Sequence, residues 1–212
     1  MNPRHVAVIA DGSFHAKNTL RRALRDIDRR ALNAIVHVKR HGRRLAGYGM
    51  VAQAFREQAA ELRALADAMQ ALMRPLIYAQ MEIVRDQQTW LTFKRLCAAR
   101  MARETSRQNR SQAQIDTVEK KLRREAHTHR QRMRAILQEL IRAVARLQES
   151  ISAQEYVVVN GRIEAALLRA DGADLLMQVS ADMATAVGNT RQAVEHYRQQ
   201  LEEVTHEIDA DF

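Results

Sequence analysis

Val51, Phe55, Gln58, Leu62, Leu65, Met69, Leu72, Leu76, Ala79, Ile83, Asp86, Trp90, Phe93 and Cys97 follow one another at alternating steps of four and three residues. Gln58 and Asp86 alone interrupt the apolar run, which lasts more than six heptads. A 3.5-residue apolar period held this long belongs to a long helix packed in a coiled coil or bundle. Three further runs carry the same signal. Leu20, Leu24, Ile27, Ala31, Ala34 and Val38 form a short one before it. Ile115, Val118, Leu122, Met133, Ile136, Leu140, Val144, Leu147, Ile151 and Val158 form a long one after it. Leu176, Val179, Met183, Val187, Thr190, Val194, Tyr197, Leu201, Val204 and Ile208 form the last.

Breaks between the runs set the organisation. Gly42, Gly47 and Gly49 cluster between the first and second runs, Thr105 to Gln112 is polar, and Gly172 follows Asp171 before the fourth run. These punctuate helices, and helices are predicted at about 14–41, 49–105, 112–169 and 174–208. The glycine turns centre near residues 44 and 172, and the polar linker lies midway between them. The two long helices would each run about 85 Å at 1.5 Å per residue, with the outer two about half as long. The fold class is therefore all-α: an elongated antiparallel bundle over 1–212, read as a single domain. Two tandem hairpins, 14–105 and 112–208, have tips near 42–48 and 170–175. They form a four-helix bundle with a two-helix extension. Pro75 removes a helical hydrogen bond and is expected to bend the second helix where the bundle gives way to the pair.

The 212 residues include seven Gly, two Pro and 4% aromatic residues, too few for a turn-rich β or α/β architecture. One cysteine, Cys97, excludes a disulfide framework and fits a reducing compartment. No run of about 18 apolar residues is present, so no membrane span is expected, and the reading is cytoplasmic. Charge is uneven. Residues 1–45 carry eleven Lys/Arg against three Asp/Glu, residues 94–134 thirteen against four, and residues 148–212 four against twelve. Such segments either pair within the molecule or present a basic face to an acidic partner.

Around the first turn the sequence reads RALNAIVHVKRHGRRLAGYGMVAQAFR, from Arg30 to Arg56. This resembles the cytoplasmic signalling hairpin of methyl-accepting chemotaxis receptors. Ala31, Leu32, Asn33, Ala34, Val36, Arg40, Gly42, Gly47, Val51, Ala52 and Arg56 match that tip, with Tyr48 at its phenylalanine position and His37 where the family has glutamate. A second, more divergent copy starts at Val159. There Asn160, Ile163, Glu164, Ala165 and Ala166 match, Leu175 takes the aromatic position, Leu167 replaces an arginine and Asp174 a glycine. Together the copies cover some 50 residues. The resemblance implies a signalling and interaction protein that reproduces in one chain the four-helix tip of a receptor dimer. Its implied partners are a chemosensory histidine kinase, a coupling protein or other receptors. Asn33, His37, Arg40, Gly42, Gly47, Tyr48, Asn160, Glu164 and Leu175 are the implied docking residues. Glu/Gln pairs flanked by small residues, as at the family's methylation sites, are not evident.

Other chemistry is sparse. Pro3 to Gly12 is similar to the start of cis-prenyltransferases, but Ser13-Phe14-His15 replaces what should follow and no α/β alternation appears; Val6, Val8 and Ile9 are read as covering the bundle or forming an arm. His37 and His41 share a helix face, but no carboxylate or cysteine accompanies them at a fixed spacing, so no metal or other cofactor is expected. Cys97 falls at a heptad core position and reads as packing. Trp90 and Phe93 fall on the seam. No nucleophile–base pair or phosphate loop supports an enzyme. The alternative to a docking protein is a basic coiled coil that binds nucleic acid or plays a structural role, through Arg95, Arg100, Arg103, Arg107, Arg110, Lys120, Lys121, Arg123 and Arg124. Self-association is expected through the distal half, where Leu76, Ile83, Trp90, Phe93 and Leu96 need cover.

Overall fold

The computed structural model describes residues 3–41, 45–101, 108–167 and 173–210. Among them five helices follow one another: α1 Pro3–His41, α2 Ala46–Ala71, α3 Met73–Met101, α4 Gln108–Leu167 and α5 Ala173–Ala210. No strand occurs among the described residues. α1 packs against α2 and α5, and α4 packs against the same two, so α1, α2, α4 and α5 form a four-helix ring. α3 continues α2 and packs chiefly on α4. Neighbours run antiparallel: Arg56 meets Asp28 across α1 and α2, Arg30 meets Asp182 across α1 and α5, and Arg191 meets Glu155 across α4 and α5. The two hairpins and their two-helix extension are as the heptads predict.

Helix bounds differ from the expectation in three places, each with a physical reason. α1 starts at Pro3 rather than near 14. Val6 and Ile9 are buried and continue inward the face formed by Ser13, Ala16, Leu20, Leu24 and Ile27. The N-terminal stretch therefore covers the bundle, since each fully buried Val or Ile contributes about 1.5–3 kcal/mol. The long second helix is interrupted at Leu72. Pro75 has no N–H for the Ala71 carbonyl, and its ring crowds that carbonyl. The chain responds with a tightened turn in which Leu72 N donates to Met69 O at 3.2 Å and Leu76 N to Leu72 O at 3.1 Å. The polar linker is shorter than expected, because α4 already begins at Gln108. Residues 102–107 lie outside the described residues.

The end of the core is sharp. Buried side chains run to Ile83 on α3 and resume at Met133 on α4; among the described residues 84–132 none is buried. Pro75 therefore sits inside the bundle and not at its junction with the pair. The longer α1 is the reason, since its N-terminal turns pack on α3. Beyond Ile83 and Met133, α3 and α4 continue as a two-helix arm.

Both hairpins turn at the same end. Val51 and Phe55 of α2 lie beside Gly161 of α4, and Tyr48 reaches Leu176 and Ser180 of α5. The hairpins are also equivalent in register. The spacing from Asn33 to Asn160 carries Arg40 to Leu167, the last residue of α4, and Ala46 to Ala173, the first of α5.

Candidate functional site at the turn end and along the arm

Tyr48 belongs to the core and not to a docking surface, which corrects its expected role. It is 1% exposed. Its phenol crosses the bundle diagonally from α2 to α5, donating to Leu176 O at 3.0 Å and lying 2.8 Å from Ser180 Oγ. Burial pushes the Tyr48 phenol up, and the Ser180 hydrogen bond offsets part of that. An aromatic ring inward with a bonded hydroxyl is how a buried tyrosine is accommodated. Tyr197 is the buried tyrosine at the other end of the bundle, its phenol pushed up further by burial, with fully buried Ser13 beside it.

The remaining tip residues divide. Asn33, Arg40, Asn160 and Leu175 are exposed, while His37, Gly47 and Glu164 are half-buried. Glu164 lies across Gly47: a Cβ there would meet Glu164 Cδ at 2.9 Å, so glycine leaves room for the carboxylate to lie flat on α2. Gly42, Arg43 and Arg44 lie outside the described residues.

The tip exposes an apolar set of which the implied docking residues include only Leu175. Leu32 and Val36 on α1, Met50 on α2, Tyr156, Val159, Ile163 and Leu167 on α4, and Leu175 and Met177 on α5 are all exposed near the turns. On α4 they recur at steps of three and four, forming one outer stripe. Met50 is 77% exposed and Leu167 70%. Equivalent positions match: Leu32 with Val159, Val36 with Ile163, Met50 with Met177. The periodicity was available in the sequence, but these residues sit off the heptad seam, and a scan for the seam passes over them.

The arm has a different chemistry. Asp86 Oδ2 lies 2.7 Å from Nδ1 of His129, and Glu82 Oε2 lies 3.6 Å from its Nε2. The carboxylate that interrupts the heptad run is thus answered by a histidine on α4. Trp90 and Phe93 are half-buried, with ring centroids 5.8 Å apart, and Lys94 Nζ and Arg123 Cζ stand over the Trp90 ring at 5.3 and 5.5 Å. Leu76 and Ile83 are already buried and need no second copy to cover them. Lys120, Lys121, Arg123 and Arg124 are exposed on α4, as are Arg95 and Arg100 on α3. Arg103 and Arg107 lie outside the described residues, as does the side chain of Arg110.

Charge separates the two parts. Residues 84–132 hold 13 of the 34 Lys/Arg and 5 of the 25 Asp/Glu, a net of +8, leaving 21 and 20 for the rest of the chain, a net of +1. The basic N-terminal segment is balanced inside the bundle, as in the Arg30–Asp182 and Lys17–Asp67 pairs. The arm is not balanced.

Among the described residues no group of three or more His, Cys, Asp or Glu could hold a metal ion, and no helix is long and apolar enough to cross a membrane. No protein-family model and no curated protein matches this chain.

Proposed function

We propose that the protein is a chemoreceptor-like interaction protein that docks a signalling partner through the turn end of its bundle. The observation that carries this reading is the pairing of exposed apolar positions in the two hairpins: Leu32 with Val159, Val36 with Ile163, Met50 with Met177. Folding does not call for them, since the core is closed by other residues. Contiguous exposed apolar side chains on a water-facing helix are a cost in solubility unless a partner covers them. The α4 stripe from Tyr156 to Leu167, with Asn160 beside it, supplies the apolar centre of one such interface, and Leu32 and Val36, with Asn33 and Arg40, form the equivalent surface on α1 at the opposite corner of the bundle. A chemosensory histidine kinase, a coupling protein or another receptor is the partner class that the resemblance of the two tips implies.

The test is calorimetric titration of the protein with a chemosensory kinase and, separately, with its coupling protein. Val159→Glu with Ile163→Glu should weaken binding at least tenfold, about 1.4 kcal/mol, while helicity is unchanged. If neither partner binds the unmodified protein, or the double variant binds as well, the reading fails.

A further inference from the structure

The arm carries a surface that the docking role leaves unused. Lys120, Arg123, His127, Arg130 and Arg134 recur along α4 at steps of three and four, and all five are exposed. That spacing keeps them on one face of the helix, along about 21 Å of its length. The stripe edges a groove of about 450 Å³ between α3 and α4, floored by Ile83, Trp90, Leu122 and Ala126.

We propose that this stripe binds the phosphate backbone of duplex nucleic acid. The first ground is charge. Residues 84–132 carry a net of +8, and a duplex presents one negative charge per about 1.7 Å of axis, so a basic row about 21 Å long lies within reach of several phosphates of the strands it crosses. The second ground is the state of Trp90. Lys94 and Arg123 stand over its ring and Phe93 stacks against it, so the ring is covered and offers no platform for an unpaired base. Contact through phosphates, not bases, is what this leaves. The third ground is the outer face of distal α3. There Arg85, Gln88, Thr92 and Arg95 share one face and are all exposed, with Leu91 and Leu96 exposed at its edges. Arg85 and Arg95 add positive charge on the α3 side of the arm, which a polyanion meets as it meets the α4 stripe. The assignment moves the centre of the basic site from the linker, where the sequence alone put it, to the α4 stripe.

The test is fluorescence anisotropy of a labelled 25-base-pair duplex with the full chain, from 50 to 200 mM salt. For four neutralised phosphates at about 0.9 log units each, affinity should fall about 150-fold over that range. Lys120→Gln, Arg123→Gln, Arg130→Gln and Arg134→Gln together should weaken binding at least tenfold and flatten the salt dependence. Arg123→Lys, Arg130→Lys and Arg134→Lys together keep the charge and should bind as the parent does. Removing four bundle arginines instead, Arg21→Gln, Arg25→Gln, Arg29→Gln and Arg63→Gln, should leave binding within about twofold. Circular dichroism of each variant checks the fold. The proposal is overturned if no duplex binds at 50 mM salt with 10 µM protein, or if the bundle variant loses as much as the stripe variant. Tighter binding of a single strand, of poly-glutamate or of anionic vesicles than of the duplex at equal salt also overturns it.

Discussion

The carboxylate of Asp86 on α3 lies 2.7 Å from Nδ1 of His129 on α4, just beyond the last buried layer of the bundle. Both side chains are mostly covered, at 17% and 24% exposure. A polar group held this far from water destabilises the fold when its partner is removed, whereas replacing both partners by apolar groups is nearly neutral. Asp86→Leu alone should therefore destabilise the arm by about 1–3 kcal/mol. Asp86→Leu with His129→Leu should recover most of that. Hydrogen exchange of the α3 amides reads it, and equal protection in the single and double variants would contradict the account.

Tyr48 and Tyr197 give a pH signature. Burial raises both phenols above their ordinary value of 10.0. The folded state thus holds the phenolic proton more tightly than the unfolded state does. The associated stability is intact below pH 10 and is lost as pH rises above it, by up to about 1.4 kcal/mol per pH unit for each group. Tyr48→Phe with Tyr197→Phe should flatten that alkaline decline in denaturant titrations between pH 10 and 11.5. At neutral pH Tyr48→Phe should cost about 1 kcal/mol for its lost hydrogen bonds.

Because Tyr48 is core, Tyr48→Ala tests packing and not docking, and should cost about 3–5 kcal/mol as other aromatic-to-alanine core changes do. Arg40→Ala is the informative change on the α1 surface, beside exposed Leu32 and Val36. It should leave the thermal midpoint unchanged and weaken partner binding by a few-fold, measured on the same samples.

The four packed helices were legible because Leu, Ile and Val on a 3.5-residue period state which face is buried. Leu20, Leu24, Leu62, Met69, Leu140 and Leu201 are at 0–1% exposure, as the heptads require. The start of α1 was not legible. Gly12 and the short apolar run before it carry no heptad signal, so the run reads equally as cover for the bundle or as an arm; the burial of Val6 and Ile9 decides for cover. Nor was the role of Tyr48, since a family tip with an aromatic there says nothing of which way the ring turns. Whether a basic segment is balanced by an acidic one depends on which helices adjoin: the sequence holds both charges, but only the packing pairs Arg30 with Asp182.

Gly188 lies within α5 with nothing inside 4 Å of a built Cβ. Gly188→Ala should raise stability by about 0.5–1 kcal/mol, since alanine loses less backbone entropy on entering a helix. Gly161→Ala is the contrast. Its Cβ would meet Ser180 Oγ at 3.1 Å and Val51 Cγ1 at 3.2 Å, so the same gain should be cancelled or reversed by crowding. Chemical denaturation of the pair decides it.

Self-association through the arm has to overcome repulsion between two copies of segment 84–132, each of net +8. Trp90 and Phe93 are already half-covered, and Leu96 at 65% exposure is the largest apolar gain a second copy would bring. Sedimentation at tens of micromolar should therefore show a monomer at 50 mM salt and a dimer only as salt screens the arms, within the roughly 3 Å Debye length of 1 M salt. A dimer at low salt that dissociates as salt rises would contradict this.

The docking claim is tested most directly by site-specific photo-cross-linking in cells that make the protein, with a benzophenone side chain placed at position 163 of the apolar stripe or at exposed position 202 on α5. The account predicts a heterologous adduct from position 163 that disappears when Val159→Glu is added, and none from position 202. An adduct from position 202 with none from position 163, or one from 163 that survives Val159→Glu, would contradict it.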